Sequence, residues 1–522
     1  MSFLSCRQQM GWAALIMGMS VLLSRFMGLF RDKVISFLFG ATSESDIYFA
    51  AFVIPDFINY LLAGAYFSIT LIPLLAAYFD ESEEDGWRFF STVFTWIALV
   101  ITPLTVLAIL LAPHLAHIAA PGLRGESMLR LVYFLRIIIP AQICFLLGSC
   151  LTAILYLRKQ FFVPALTPLV YNFLIILGGI LLRKRGMEGF CWGVLAGAFL
   201  GNLLLPYLAV KWGDGLHLYF SLRHEGLKKF FILALPLMLG QSIVVLDEQL
   251  VRIFGSLVGT GAISWLNYAR RIMLVPVGVV AQAAGVASYP FLAELVAKDE
   301  HSRFYQTLRT ALQSVMTLLI PLSIWMIVVA EPTIRLIFQQ GHFSASDTLH
   351  TARLLQISLL AVFCWGIQQI LGRAFYACQD TLTPAVLGTL ATLVSIPIFY
   401  YLARTLDATG VALASVSSMV FYTALLSFWW WHRFGGETFS GLGKDQFKVL
   451  GFSLIAAVPS AIIVNYELID GVIYPYWASL FEISVSGLCF ACLFGLLSGY
   501  FAPSLVKPFL LRTGRLGAWL IR

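Results

Sequence analysis

Charge is what this 522-residue chain has least of. Asp, Glu, Lys and Arg make up 12% of it, while 60% is hydrophobic; a soluble domain carries about 25% charged and about 45–50% apolar residues. No soluble fold hides that much apolar surface, which excludes a soluble enzyme or binding module. Disorder is excluded by 42 Phe, 20 Tyr and 13 Trp, because disordered chains are poor in aromatics. The eight cysteines are scattered and give no disulfide framework. Cys489 and Cys492 form a C-x-x-C inside an apolar run, where no second pair or histidine stands by to make a redox or metal site. The eight histidines fall in loops or at the edges of apolar runs, and His114 and His117 lack a third ligand. With no catalytic or metal-binding constellation, the chain is expected to be neither an enzyme nor a metalloprotein, and nothing in it suits a nucleic acid.

Long hydrophobic runs are what it has instead. A spanning helix needs roughly 20 apolar residues, and breaks in the apolar pattern leave about fourteen such runs. They are centred near residues 20, 62, 100, 142, 172, 199, 242, 278, 317, 364, 393, 420, 457 and 487. The first, about Gly11 to Phe30, carries Arg25 and no small-residue cleavage site, so it reads as a span rather than a signal peptide. The runs are continuous, not alternating, which argues against a β-barrel. The expected class is an all-α polytopic membrane protein. Placing the N-terminus in the cytoplasm puts the larger share of loop Lys and Arg inside, although Arg183–Arg185 opposes this, and both termini come out cytoplasmic.

The chain also repeats itself. Leu155-Tyr156 with Val163-Pro164-Ala165 is echoed by Phe375-Tyr376 with Thr383-Pro384-Ala385. Pro73-Leu74-Leu75-Ala76 returns as Pro290-Phe291-Leu292-Ala293, Ala112-Pro113 as Glu331-Pro332, and Ile54-Pro55 as Val275-Pro276. The echoes keep their order at a nearly constant offset spanning six runs, an even number, which makes the repeats parallel. The architecture this implies is two six-helix lobes in parallel repeat around a central cavity, 1–211 and 227–432. A C-terminal helix pair (446–500) and a tail (501–522) follow.

An ionisable residue within a span costs about 2.5–3.5 kcal/mol on insertion scales and is a functional candidate. Arg25 lies deep in the first span, on the face of Gly28 and Asp32 at helical spacing. Arg31 falls nearer its end. In the eighth span Arg271, Gly278, Gln282 and Gly285 form one stripe, with Arg270 turned toward the interface. The seventh carries Asp247, Glu248 and Arg252, the last two at the spacing of a helical ion pair. Asp46 is placed to meet Arg25 or Arg31, and Asp56 follows the kinking Pro55.

Several segments resemble the MurJ/MviN family of bacterial lipid II flippases, in the multidrug/oligosaccharidyl-lipid/polysaccharide exporter superfamily. They are Ser24-Arg25-Phe26-Met27-Gly28-Leu29-Phe30-Arg31-Asp32, Gly40-Ala41-Thr42 with Asp46 and Ala51–Pro55, and Ala120-Pro121-Gly122. Ser264–Arg271, Gln340-Gly341-His342-Phe343 and Phe375–Pro384 complete the set. The resemblance implies a cavity lined by Arg25, Arg31, Asp46 and Arg271; Asp247, Glu248, Arg252, Arg270 and Asp56 stand beside them as gating or ion-pair candidates on their position in the spans alone. Asn59-Tyr60 stand where that family often carries two arginines, and Arg270 where an acid often stands.

A cation-lined cavity suits a lipid-linked sugar pyrophosphate, because arginine grips phosphate oxygens well. Three readings follow. The first is a flippase moving lipid II, the peptidoglycan precursor, outward across the bacterial inner membrane by alternating access. The second is a flippase for another polyprenyl-pyrophosphate oligosaccharide of O-antigen type, and the third a membrane-embedded polyprenyl-lipid glycosyl- or acyltransferase, which would need a catalytic cluster. No cofactor is expected, and the driving force is open between the membrane potential and a monovalent ion. The expected partners are lipid II and membrane lipid; the residues name no protein partner.

Overall fold

A computed structural model describes residues 10–63, 66–213, 215–240, 243–465 and 475–503, which contain helices and no strand. Cys6 and the tail beyond residue 503 lie outside the described residues. By packing, the chain divides into two units, Met1–Ser264 and Trp265–Arg522.

In the first unit, α1 (Met10–Phe39), α2 (Ser43–Ala50), α3 (Val53–Ala63), α4 (Tyr66–Glu81) and α5 (Glu83–Leu110) lead to the short α6 (Ala112–Ala119). Then come α7 (Glu126–Ile138), α8 (Ala141–Leu157), α9 (Phe162–Leu181), α10 (Glu188–Gly197), a π-helical turn (Ala198–Leu204), α11 (Leu205–Gly213), α12 (Glu225–Gly240) and α13 (Ile243–Gly255). The next helix, α14 (Ala262–Pro276), begins in the first unit and continues into the second, where a π-helical turn (Val277–Gln282) and α15 (Ala283–Ala297) extend it. The second unit continues with α16 (His301–Val328), α17 (Ala330–Phe338), α18 (Ala345–Leu359), α19 (Val362–Ala377), α20 (Leu382–Thr405) and α21 (Asp407–Phe434). The last two helices are α22 (Leu442–Asn465) and α23 (Pro475–Phe501).

Ten of these helical runs are long and apolar enough to cross a bilayer, and α18 with α19, bent by 42°, makes an eleventh. They cover eleven of the expected centres. Of the other three, those near 20 and 62 fall on α1 and α3, and the one near 242 lies outside the described residues, between α12 and α13. The chain is a multi-pass, all-helical membrane protein; among the described residues ten helical runs, or eleven with the bent pair, are long and apolar enough to span, and the expected count of fourteen is not confirmed.

The sequence repeat is written into the helices. Those starting at Glu83, Ala112, Glu126, Ala141, Phe162 and Glu188 are matched in order by those starting at His301, Ala330, Ala345, Val362, Leu382 and Asp407, about 220 residues on. The turns agree atom for atom. After α8, Lys159 takes a left-handed φ of 59° while Gln160 N–H donates to the Leu155 carbonyl at 2.8 Å. After α19, Gln379 has φ 60° and Asp380 N–H donates to Phe375 at 2.9 Å. Both are Schellman caps that satisfy the last carbonyls of a helix. Asp380 goes further than its counterpart Gln160. It accepts from Thr383 N–H (3.0 Å) and Oγ1 (2.7 Å) and pairs with Arg433. Burial pushes its carboxyl up, but these partners outweigh that and hold it below the usual range.

Lipid offers helices no hydrophobic reason to associate, so packing relies on small residues that let backbones close in. A Cβ on Gly193 of α10 would lie 2.7 Å from Ile175 Cα of α9, and one on Gly148 of α8 would lie 1.8 Å from the Asn202 carbonyl of the π-helical turn. In the second unit Ser460 of α22 donates to the Ser486 carbonyl of α23 at 3.1 Å, and Gly487 lies against Trp325. Gly122 is the tightest test. It donates its N–H to Ser256 Oγ at 3.1 Å, and a Cβ there would sit 1.9 Å from the Ser256 carbonyl oxygen. Gly122→Ala should therefore lower the thermal stability of the solubilised protein by about 1–3 kcal/mol. Gly443→Ala, which meets nothing within 4 Å, should not; equal melting temperatures would overturn this packing.

Candidate functional site

Helix α1 presents its two arginines differently. Arg25 is exposed, whereas the Arg31 side chain is only 14% exposed. Arg31 donates Nε and Nη2 to Asp32 Oδ1 at 3.1 and 2.9 Å, and Nη1 to Asn172 Oδ1 of α9 at 3.4 Å. Asp32 is fully buried. Arg31 thus lies well inside α1 rather than at its end, and it neutralises its own neighbour. Helical spacing placed Arg25 and Asp32 on one face, yet one is exposed and the other buried.

Asp46 does not meet either arginine. Its carboxylate is buried and accepts from Gly261 N–H (2.5 Å), Ser264 N–H (2.8 Å) and Ser264 Oγ (2.6 Å). Those amides open α14, so the carboxylate caps a helix from another part of the chain and favours its positive end. Its helix, α2, is tied down by Glu44, which accepts from Arg130 Nε of α7 (3.1 Å) and from Met187 N–H before α10 (3.2 Å). Asp46→Asn should therefore destabilise the protein by about 1–3 kcal/mol, because an amide NH2 would face N–H donors. An unchanged melting temperature would show that the cap contributes nothing.

The expected pair of Glu248 and Arg252 is present, and it is larger than expected. Arg252 Nη2 meets Glu248 Oε1 at 2.6 Å, and Nη1 meets both Asp56 Oδ2 of α3 at 2.7 Å and Gln249 Oε1 at 3.3 Å. Arg252 is buried, with two carboxylates on one guanidinium. Asp247 beside it is buried as well.

In the second unit the run from Trp265 to Arg271 anchors α14. Trp265 Nε1 donates to Asp347 Oδ1 at 2.8 Å while its ring stacks on His350 at 4.4 Å. Tyr268, fully buried, packs on Phe338 (4.9 Å) and Phe343 (5.6 Å). The Gln340–Phe343 segment owes its turn to Gly341, at φ 62°, a region glycine enters without strain. Arg270 is buried rather than interfacial, and Arg271 is half-buried. The expected stripe from Arg271 to Gly285 is broken by the π-helical turn Val277–Gln282. Its wider i→i+5 winding rotates later residues out of the 3.6-residue register, and Gly285 ends up buried against Arg373 of α19.

Three comparisons bear on this geometry. The family model described as "Lipid II flippase MurJ" matches residues 35–501. The chain belongs to that family. It is 25% identical over 501 residues to a probable lipid II flippase MurJ of Buchnera aphidicola subsp. Schizaphis graminum, covering 91% of this chain and 94% of the relative. The lipid II flippase MurJ of Burkholderia cenocepacia is 27% identical over 425 residues, 77% of this chain and 81% of that one. Among solved structures, a lipid II flippase MurJ in an inward closed conformation aligns with TM-score 0.78 at 25% identity, covering 94% of this chain and all of the other. An inward-facing multidrug resistance transporter of the MATE family aligns at 0.68 with 14% identity, a likeness of fold alone.

Within this family member, sequence reasoning missed the partners that lie far away in the chain. Asn172 beside Arg31, and Asp347 and His350 around Trp265, carry no local signal; each is an ordinary polar residue until the fold brings it there.

Proposed function

We propose that this chain moves lipid II from the inner to the outer leaflet of the bacterial cytoplasmic membrane by alternating access, with both termini in the cytoplasm. The observation that carries this reading is the match to the lipid II flippase family, over residues 35–501 in sequence and 94% of the chain in structure. The family model, both curated relatives and the solved structure at 25% identity are named for lipid II, so that substrate is preferred to another polyprenyl-pyrophosphate oligosaccharide. Arg25 and Arg271 are assigned to the pyrophosphate. A pyrophosphate moved bare through hydrocarbon would meet a prohibitive desolvation cost, and charge-assisted bonds from guanidinium replace its water. Arg31, Asp46 and the Asp56–Arg252–Glu248 cluster hold the helices of the first unit in place. The driving force is assigned to the membrane potential or a monovalent ion, without a cofactor.

Reconstitution tests it. Purified protein in vesicles loaded with lipid II on one leaflet should expose the headgroup to an impermeant reagent on the other, well above protein-free vesicles. Exposure no faster than in empty vesicles, under an imposed potential or ion gradient as well as without one, would overturn the proposal.

A further inference from the structure

The segment between α11 and α12 has no helix from residue 215 to 224, yet it is strapped to α5. Ser91 Oγ donates to the His217 carbonyl (3.2 Å) and accepts from Tyr219 N–H (3.1 Å), and Trp96 Nε1 donates to the Leu222 carbonyl (3.0 Å). At the end of the strap His224 Nε2 faces Asp85 Oδ1 at 3.3 Å, while Nδ1 accepts Gly226 N–H at 3.0 Å and so caps α12. With its backbone held inward, the strap turns apolar side chains outward. Leu218, Tyr219, Phe220 and Leu222 are exposed, and Phe220 is 83% exposed. Where the strap enters α12 there is an open pocket of about 500 Å³ lined by Leu222, Arg223, His224, Glu225, Lys228 and Phe231, among others. Arg223 and Lys228 make no ion pair with a described residue, and Lys229, next in the chain, is exposed as well.

We propose that this strap and pocket form a binding site for an anionic phospholipid of the surrounding membrane, a role separate from the transported substrate. The chemistry is complementary on both counts. Aromatic and aliphatic side chains at a water–lipid boundary seat themselves among headgroups and upper acyl chains. Arg223 and Lys228 offer an unneutralised guanidinium and ammonium to the phosphate, beside the apolar Leu222 and Phe231 that an acyl chain covers. Arg223, Lys228 and the adjacent Lys229 outnumber the acids there, Glu225 at the rim and Asp85 behind His224. A bound lipid would hold the strap on α5 and fix the start of α12.

Native mass spectrometry of the full-length solubilised protein, titrated with phosphatidylglycerol or phosphatidylcholine, tests the site. The wild type should retain phosphatidylglycerol preferentially. Arg223→Gln with Lys228→Gln should lower that preference about tenfold, on the order expected for two cations near a membrane surface. Arg183→Gln with Lys184→Gln, in another exposed basic turn, should keep it. A wild type without preference, or a double variant that keeps it, overturns the proposal, as does competition by inorganic phosphate, which would mark a free-anion site. Hydrogen exchange needs no variant: amides 218–224 should exchange more slowly in phosphatidylglycerol nanodiscs than in phosphatidylcholine ones, and equal rates would overturn the seating of the strap.

Discussion

Arg252→Gln should be among the most damaging single changes in this chain, with a loss of stability of about 3–5 kcal/mol. The guanidinium is buried and joins Glu248 at 2.6 Å and Asp56 at 2.7 Å. Removing it leaves two carboxylates, 30% and 29% exposed, facing each other without the cation between them. The cluster is asymmetric, and that gives the test its shape. Glu248→Gln leaves Arg252 paired with Asp56, and Asp56→Asn leaves it paired with Glu248, so each acid variant should be milder than the arginine variant. Replacing all three by Asn, Gln and Gln removes every charge and should recover most of the loss. Melting curves and yields of membrane-inserted protein read the series directly. An arginine variant no worse than the acid ones would mean that the cluster is not held together by charge.

The same cluster shows what a sequence can and cannot reveal here. Glu248 and Arg252 are four residues apart on one helix, so geometry alone pairs them. Asp56 lies 196 residues from Arg252, and no periodicity links the two. Asp46 misleads for a related reason. A buried acid near two arginines suggests an ion pair, but the amides opening α14 are positive too, and they carry no mark in the side-chain sequence. The stripe from Arg271 to Gly285 failed because Val277–Gln282 looks like any apolar helix, while its backbone winds with an extra residue per turn. The repeat was legible because its signals are backbone ones. Prolines such as Pro73 and Pro290, both inside helices, and the turns after α8 and α19 are fixed by local chemistry.

Arg25→Ala should cut transport severely and leave the fold intact, whereas Arg31→Ala should damage both. The difference follows from burial. Arg25 is exposed on α1, so truncating it removes no packed core. If it grips the pyrophosphate, the lost charge-assisted bond is worth about 1.5–3 kcal/mol, a roughly ten- to hundredfold loss of transport. Arg271, half-buried on α14, should behave in the same way. Arg31 instead holds the fully buried Asp32 at 2.9 Å, and its removal leaves that carboxylate without its guanidinium. Adding Asp32→Asn to Arg31→Ala should restore the melting temperature, and it separates the two roles of Arg31. If transport returns along with stability, Arg31 serves the fold alone; if stability returns without transport, it also touches the substrate. For Arg25 the decisive measurement is complementation of a flippase-depleted strain at matched expression. Growth supported by Arg25→Ala at wild-type rate would remove Arg25 from the substrate's path.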